Sequence, residues 1–496
     1  MFLLTTHGTG TAFPEGFLPR VFYFKSARGD ADEPNEGCDL ADHRVQLLAD
    51  RVHCRSPSLR FLDDVVFAQT GVRGGAAAHT ECGVNWSSAD KSRRAPPAWT
   101  RASPHAPFGS GSRRRPVLSY DLILKGGRVL DPSQKLDALA DIAFENGKVA
   151  RIGKDLDPGG CPDVRDVSGL IVSPGLIDLH THVYWGGTSL GIDAEEFCRA
   201  SGVTTAVDTG SAGPGNWMGF RKHVIEPSQV RILAYLHVSH AGIYGFDKRV
   251  MVGESRELTL MNPIDCAEVA DANRDLIVGI KVRVGLHASG TSGTVPLNIA
   301  IQVAEEVGMP VMAHIDHPPP SYEEVLDMLR PGDVLTHAFR PFPNAPITGQ
   351  GRVKDAVVSA RKRGVLFDIG HGKGSFAFKT ARAMLANGFE PDTISSDIHT
   401  LCIEGPAFDQ VTTLSKFLCL GMPLDRVIAS TTVNAAMAMK RPELGTLQVG
   451  AIGDATLLRL EEGRFDYVDV VGEHLEGSQR LTSAGVVIGG RWWHPT

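Results

Sequence analysis

The run Leu170-Ile-Val-Ser-Pro-Gly-Leu-Ile-Asp-Leu-His-Thr-His-Val183 decides how the rest of the chain is read. Its aliphatic and β-branched residues predict a buried strand. His180 and His182 stand at its end. Positions two apart in a strand share a face, so the two rings project side by side, roughly 7 Å apart at the backbone. One metal ion can reach both. Behind a Pro-Gly turn and a strand, the pair reads as metal ligands rather than as two hydrogen-bonded core histidines.

Further along, seven more short apolar runs repeat the pattern. They are 204–208, 232–238, 277–283, 310–314, 333–337, 365–369 and 393–397. Helix-like stretches lie between several of them, such as 298–307, 353–363 and 376–387. Strand–helix alternation predicts a parallel sheet. Eight units over about 270 residues match a (β/α)8 TIM-type barrel, spanning 173–440, whose active site lies at the C-terminal strand ends. The fold class is therefore α/β. From Tyr120 the pattern is β, with Gly126-Gly127 and Asn146-Gly147 read as hairpin turns. The runs Ala455–Leu460 and Val486–Trp493 are alike. Residues 117–172 and 441–496 are expected to build one small β-sandwich from both ends of the barrel segment.

Residues 1–116 differ in character: Gly, Pro, Arg and Ser are frequent and apolar residues have little period. The stretch 96–116 reads as unfolded linker, and the Arg113–Arg115 run as a solvated part of it. Residues 1–116 are expected to form a poorly ordered N-terminal extension. A start codon read as Val117, just before the ordered pattern begins, would leave it outside the native protein.

Composition bounds the function. The chain has 496 residues, 42% of them hydrophobic, and a formal net charge of −7. That charge gives no argument for nucleic acid as a partner. Eight cysteines are scattered without a CxxC pair, which fits neither a zinc knuckle nor a disulfide framework. Scattered thiols suit a reducing, cytoplasmic setting. No apolar run is long enough to span a bilayer, and no signal peptide is read. The expected partner is a small-molecule substrate, with neither nucleic acid nor membrane, in a homo-oligomer.

The barrel rule now selects residues. At the strand C-termini stand His180, His182, Lys281, His314, His337 and Asp397. Any one is a weak signal. Six at successive strand ends converge on one mouth. Alternation turns Lys281 and Arg283 to the same inner face. A buried ammonium is costly there and lysine shifts its pKa readily. The neutral amine can add carbon dioxide, which turns a cation into a carbamate anion able to bridge two metals.

On these residues the chain resembles the amidohydrolase superfamily, in particular a bacterial amidohydrolase/deacetylase metallohydrolase branch. The resemblance covers 120–490. It rests on Pro174–His182, Lys281, His314, His337, Ser395-Ser-Asp397 and Leu447–Leu457, with 279–283, 368–376 and 396–399 carrying the closer match. It implies two divalent ions, with zinc expected over manganese or iron. His180, His182 and Asp397 would hold the first, His314 and His337 the second, with carboxylated Lys281 between. Asp397 would be the catalytic acid–base. Substrate-facing candidates are Arg283, as a carboxylate clamp or a counter-charge, then His371, His240, Tyr184 and His399.

The implied reaction is hydrolysis of an amide or ester, foremost of an N-acyl amino acid or related acyl compound. Aromatic amides such as ochratoxin are a further possibility that the branch suggests. The alternative is a cyclic amidase of dihydroorotase or hydantoinase type. Dihydroorotases usually carry an arginine two residues past the second histidine, and here that position is Tyr184. A non-catalytic scaffold would have lost ligands, yet all six are present.

Overall fold

A computed structural model describes residues 120–493. The readings of 1–116 and of Val117 lie outside the described residues. Among the described residues, fifteen strands form two sheets. The first five are β1 (Leu122–Asp131), β2 (Leu136–Glu145), β3 (Lys148–Gly153), β4 (Val164–Asp166) and β5 (Ile171–Pro174). Seven follow: β6 (Leu176–Thr181), β7 (Val203–Thr209), β8 (Arg231–His237), β9 (Ile277–Val284), β10 (Val311–Ile315), β11 (Val334–Leu335) and β12 (Leu366–Phe367). The last three are β13 (Ala455–Val468), β14 (His474–Ile488) and β15 (Arg491–Trp493).

Strands β1–β5 and β13–β15 hydrogen-bond as one continuous eight-stranded sheet, ordered β15-β14-β13-β5-β1-β2-β3 with β4 on β1. The two sheets expected of a sandwich are thus joined, because β13 pairs antiparallel with β5 along Ile171–Pro174. Asn146 and Gly147 do form the hairpin turn between β2 and β3, both with positive φ (51° and 76°) as a tight primed turn requires. Gly126-Gly127 does not turn the chain. It is a bulge inside β1, where the register with β2 slips between Leu124 and Gly127. The turn comes at Pro132–Gln134, capped by the Asp131 carboxylate.

Strands β6 to β12 form a parallel sheet in simple chain order. Helices Ala194–Ser201, Pro263–Ala272, Val295–Val307, Tyr322–Met328 and Asp355–Arg363 fall between its strands. Their apolar faces pack on the sheet through residues such as Leu297, Val303, Tyr322 and Val357, all essentially fully buried. Burying each such side chain contributes about 1.5–3 kcal/mol.

The expected eighth strand at 393–397 is not a regular strand. It makes isolated parallel bridges, Thr393 to Asp368 beside β12 and Ile398 to Thr181 of β6, so both edges of the sheet reach the same segment. Its regularity fails because Asp397 adopts φ 47°. His337 (φ 64°) ends the β11 region in the same way. Non-glycine residues in this left-handed region are strained and collect at functional sites. No helix among the described residues is long and apolar enough to cross a membrane.

Candidate metal centre

The C-terminal ends of the parallel strands surround a cavity. It is lined by His180, His182, Lys281, Arg283, His314, His337, Asp397 and His399, with Leu190, Ile243 and Phe246 as its apolar wall. All six candidate ligands of the sequence therefore meet in one place. Strand pairing delivers them: β9 and β10 align Lys281 with Met312, and Arg283 with His314.

His180, His182 and Asp397 form a tight buried triad in which both Nε2 atoms lie 3.2 Å from Asp397 Oδ1. Lys281 Nζ is 3.4 Å from His180 Nε2. His314 and His337 stand outside the triad, packed edge to face with ring centroids 4.5 Å apart. A pair of ions needs such a division, because two-metal sites hold their ions roughly 3.5–4 Å apart.

The imidazoles are aimed by what their other nitrogens touch. His180 Nδ1 meets the Thr336 hydroxyl at 2.8 Å, and that hydroxyl donates to Asp368 Oδ2 at 2.7 Å. His182 Nδ1 meets the Ser211 hydroxyl at 2.9 Å, beside Asp208, which accepts from the Ser211 N–H at 2.8 Å. His337 Nδ1 donates to the Gly370 carbonyl at 2.8 Å. His314 Nε2 is buried with no hydrogen-bond partner, 3.8 Å from Asp316 Oδ2. Outer groups of this kind fix tautomer and orientation in metal sites.

Electrostatics agree with ligation. Burial holds His180, His314 and His337 well below the usual imidazole pKa, and brings His182 to about 3. At neutral pH these rings are uncharged, the form that binds metal. Burial also draws Lys281 down to about 7, which leaves a large share of free amine. It raises Asp397 to about 6. The buried unpartnered His314 nitrogen and the mixed imidazole–carboxylate donor set fit a pair of divalent ions.

Arg283 reaches the cavity with its guanidinium over the Phe246 ring, 4.8 Å from the centroid. Its Nη1 lies 3.2 Å from Glu254 Oε2, and the other oxygen of Glu254 takes His237 Nε2 at 3.1 Å. His399 lines the cavity between His182 and Phe246, and burial lowers it to about 4.

Three sequence candidates do not reach the cavity. Tyr184 follows the end of β6, where alternation stops; its hydroxyl donates to the Asn216 carbonyl at 3.3 Å and its ring packs on Phe220. His240 is exposed, because the chain turns away after β8. His371 is fully buried behind the site, where Nε2 accepts from Lys416.

Asp368, Thr336, Ser211, Asp208 and Glu254 were not singled out from the sequence. Asp208 closes one apolar run and Asp368 stands next to last in another, and that position was a usable signal. Glu254 sits in an irregular loop with no periodic signal at all.

No family model matches the chain. A deacetylase of Brucella anthropi is 36% identical over 338 residues, which cover 68% of this chain and 83% of that protein. A crystal structure of an adenine deaminase superposes with TM-score 0.71 at 28% identity, covering 76% of this chain and 100% of that one. A crystal structure of a dihydroorotase gives TM-score 0.69 at 32% identity, covering 75% and 97%.

Proposed function

This chain belongs to the amidohydrolase superfamily and is a hydrolase, and we propose that it is a binuclear metal enzyme that removes the acyl group from a small carboxylate-bearing amide or ester. The substrate class foremost in this reading is an N-acyl amino acid. The observation that carries it is the ring of four neutral imidazoles around Lys281 and Asp397, three of them with the outer nitrogen already engaged.

We read the parallel sheet as a closed (β/α)8 barrel, with 393–398 as its eighth staff. The two bridges from that segment to β6 and β12 support this. His180, His182 and Asp397 would hold one ion, His314 and His337 the other, with zinc as the expected metal. Such ions polarise the scissile carbonyl and acidify water.

The protein's own groups do the rest. The free amine of Lys281 adds carbon dioxide; its nitrogen forms the new C–N bond and releases one proton, leaving an anionic carbamate. Asp397, a carboxyl with a raised pKa, takes a proton from the attacking water and gives it to the leaving nitrogen or oxygen. Amides need this most, since an amine anion leaves poorly. Arg283 pairs with the substrate carboxylate through its free N–H groups, while Glu254 holds the other side of the guanidinium. Leu190, Ile243 and Phe246 exclude water from the acyl group.

The imidazole cluster faces the close apolar wall of Leu190, Ile243 and Phe246. That favours acetyl and other compact acyl groups over a large aromatic amide such as ochratoxin. The deacetylase relative supports the same reading. The five described cysteines are free thiols, which suits the cytoplasm.

The dihydroorotase neighbour favours a cyclic amidase as the second reading. Tyr184 points away from the cavity, so the cation there comes from β9 instead. One panel separates the two: N-acetyl amino acids, acetyl esters of hydroxy acids, dihydroorotate and hydantoins, each with zinc-loaded enzyme. Turnover of the acyl compounds alone is expected. Turnover confined to the cyclic compounds would replace the first reading with the second.

A further inference from the structure

Lys416 lies on the helix Gln410–Cys419 and is wholly buried. Burying its amino group is costly unless each N–H finds an acceptor. Here three acceptors surround Nζ: His371 Nε2 at 2.7 Å, the Pro406 carbonyl at 2.7 Å and the Val468 carbonyl at 2.9 Å. They belong to three separate parts of the chain: the loop after β12, the turn at 405–406 and the end of β13.

Because His371 Nε2 accepts, its ring proton sits on Nδ1, which faces the Gly372 carbonyl at 3.0 Å. Both ring nitrogens are used. The imidazole is a fixed neutral spacer, packed at a tilt against Phe376. Its role is not to touch substrate.

The loop that carries His371 touches the metal centre twice. The Gly370 carbonyl takes the Nδ1 proton of His337 at 2.8 Å. Gly372 backs directly onto Asp397, where an added Cβ would stand 2.1 Å from Oδ2. Both glycines have positive φ (47° and 52°), so no other residue fits easily at either place. Backbone bonds from His371 N to Ser395 O (3.2 Å) and Gly372 N to Ser396 O (2.9 Å) tie the loop to the segment that ends in Asp397.

We propose that Lys416 is a positioning residue for the metal centre. By gripping His371 it sets the Gly370–Gly372 loop, and through that loop the aim of His337 and the seat of the Asp397 carboxylate. The inference rests on the metal reading above. A mere space-filler at this point needs no donors, and a methionine would serve.

The test uses the full-length protein loaded with cobalt(II), whose visible bands report ligand geometry. Four variants are compared: K416M, H371Q, K416M/H371Q and, as a control for simple destabilisation, L414A in the same helix. K416M and H371Q are expected to change the band shape alike. Each should lower kcat on N-acetyl amino acids by about 10- to 100-fold, the usual effect of outer-shell losses, with KM within about twofold. The double variant should be no worse than the worse single, because both act on one contact. L414A should lose thermal stability and keep the wild-type bands.

Wild-type bands and kcat in K416M would overturn the proposal, as would the same band change in L414A. If K416M does not fold, H371Q decides by the same spectrum, since it keeps both carbonyl bonds to Lys416. A wild-type protein that takes up no cobalt defeats the metal reading and this inference together. A normal cobalt spectrum that no variant alters defeats this inference alone.

Discussion

Nδ1 of His180 lies 2.8 Å from the Thr336 hydroxyl oxygen. That hydroxyl gives its proton to Asp368, so its oxygen is left to accept from the ring. The chain Asp368–Thr336–His180 therefore fixes Nδ1 as the protonated nitrogen and leaves the Nε2 lone pair facing Asp397. Thr393 and Ser395 also donate to Asp368, at 2.7 and 2.8 Å, which holds the carboxylate in place.

Breaking that chain should loosen the metal without removing a ligand. T336V and D368N are each expected to weaken zinc binding or turnover by about 10- to 100-fold. Competition with a chelator of known affinity measures the first, steady-state kinetics the second. Unchanged zinc affinity and kcat in both variants would mean that the relay does not orient His180.

Lys281 has no partner role that another cation can fill. K281M is expected to lose nearly all turnover and most bound metal. Short-chain carboxylic acids added to K281M should restore part of both, since they supply the missing bridging anion. Metal analysis with and without added propionate checks this; no recovery of either would argue against an anionic bridge.

Arg283 is expected to read the substrate carboxylate. R283M should raise KM for an N-acyl amino acid by roughly 10- to 100-fold, the loss of a charge-assisted hydrogen bond. The corresponding N-acyl amino amide should be affected much less. An equal loss on both substrates would assign Arg283 to the structure of the Glu254–His237 cluster instead.

Stripping the metal should abolish turnover and lower the melting temperature, because ions that bind only the folded chain stabilise it. Dialysis against a chelator, then titration with zinc followed by calorimetry, tests both. Full activity in the stripped protein would contradict the metal reading.

Lys416 gives a pH signature in stability. Burial lowers its pKa from the ordinary 10.5 to about 7; the titratable groups facing it are His371, Asp409, Asp469 and Cys402. The unfolded chain keeps this proton up to its ordinary pKa, the folded chain releases it earlier. Between those values the unfolded state binds more protons, so stability rises with pH. The stability of wild type relative to K416M should climb through that window by at most about 1.4 kcal/mol per pH unit, and stay level below it. Denaturant melts at several pH values measure the difference; parallel curves throughout would show that Lys416 does not titrate there.

The ligands themselves were readable in the sequence because strand alternation and strand ends fix where a side chain points. His180, Lys281 and His314 lie inside strands and follow that rule; His182, His337 and Asp397 lie just past regular strand backbone and still meet them in the cavity. The rule fails further past the strand end. Tyr184 is two residues past His182, yet β6 ends at Thr181, and the ring turns to Phe220. Gly126-Gly127 was misread for a related reason: a glycine pair marks a break in regular backbone, and a bulge and a turn share that composition. Glu254 and Lys416 were invisible because their partners are far away in sequence. Arg283 is 29 residues from Glu254, and His371 is 45 from Lys416. Such pairs have no local pattern.

The most direct measurement is anomalous diffraction at the zinc edge from crystals grown with zinc and bicarbonate. Two peaks roughly 3.5–4 Å apart are expected, the spacing of a two-metal site. One should lie by His180, His182 and Asp397, the other by His314 and His337, with a carbamate on Lys281 reaching both. A single peak or none, with an unmodified Lys281 amine turned from the cavity, would contradict it.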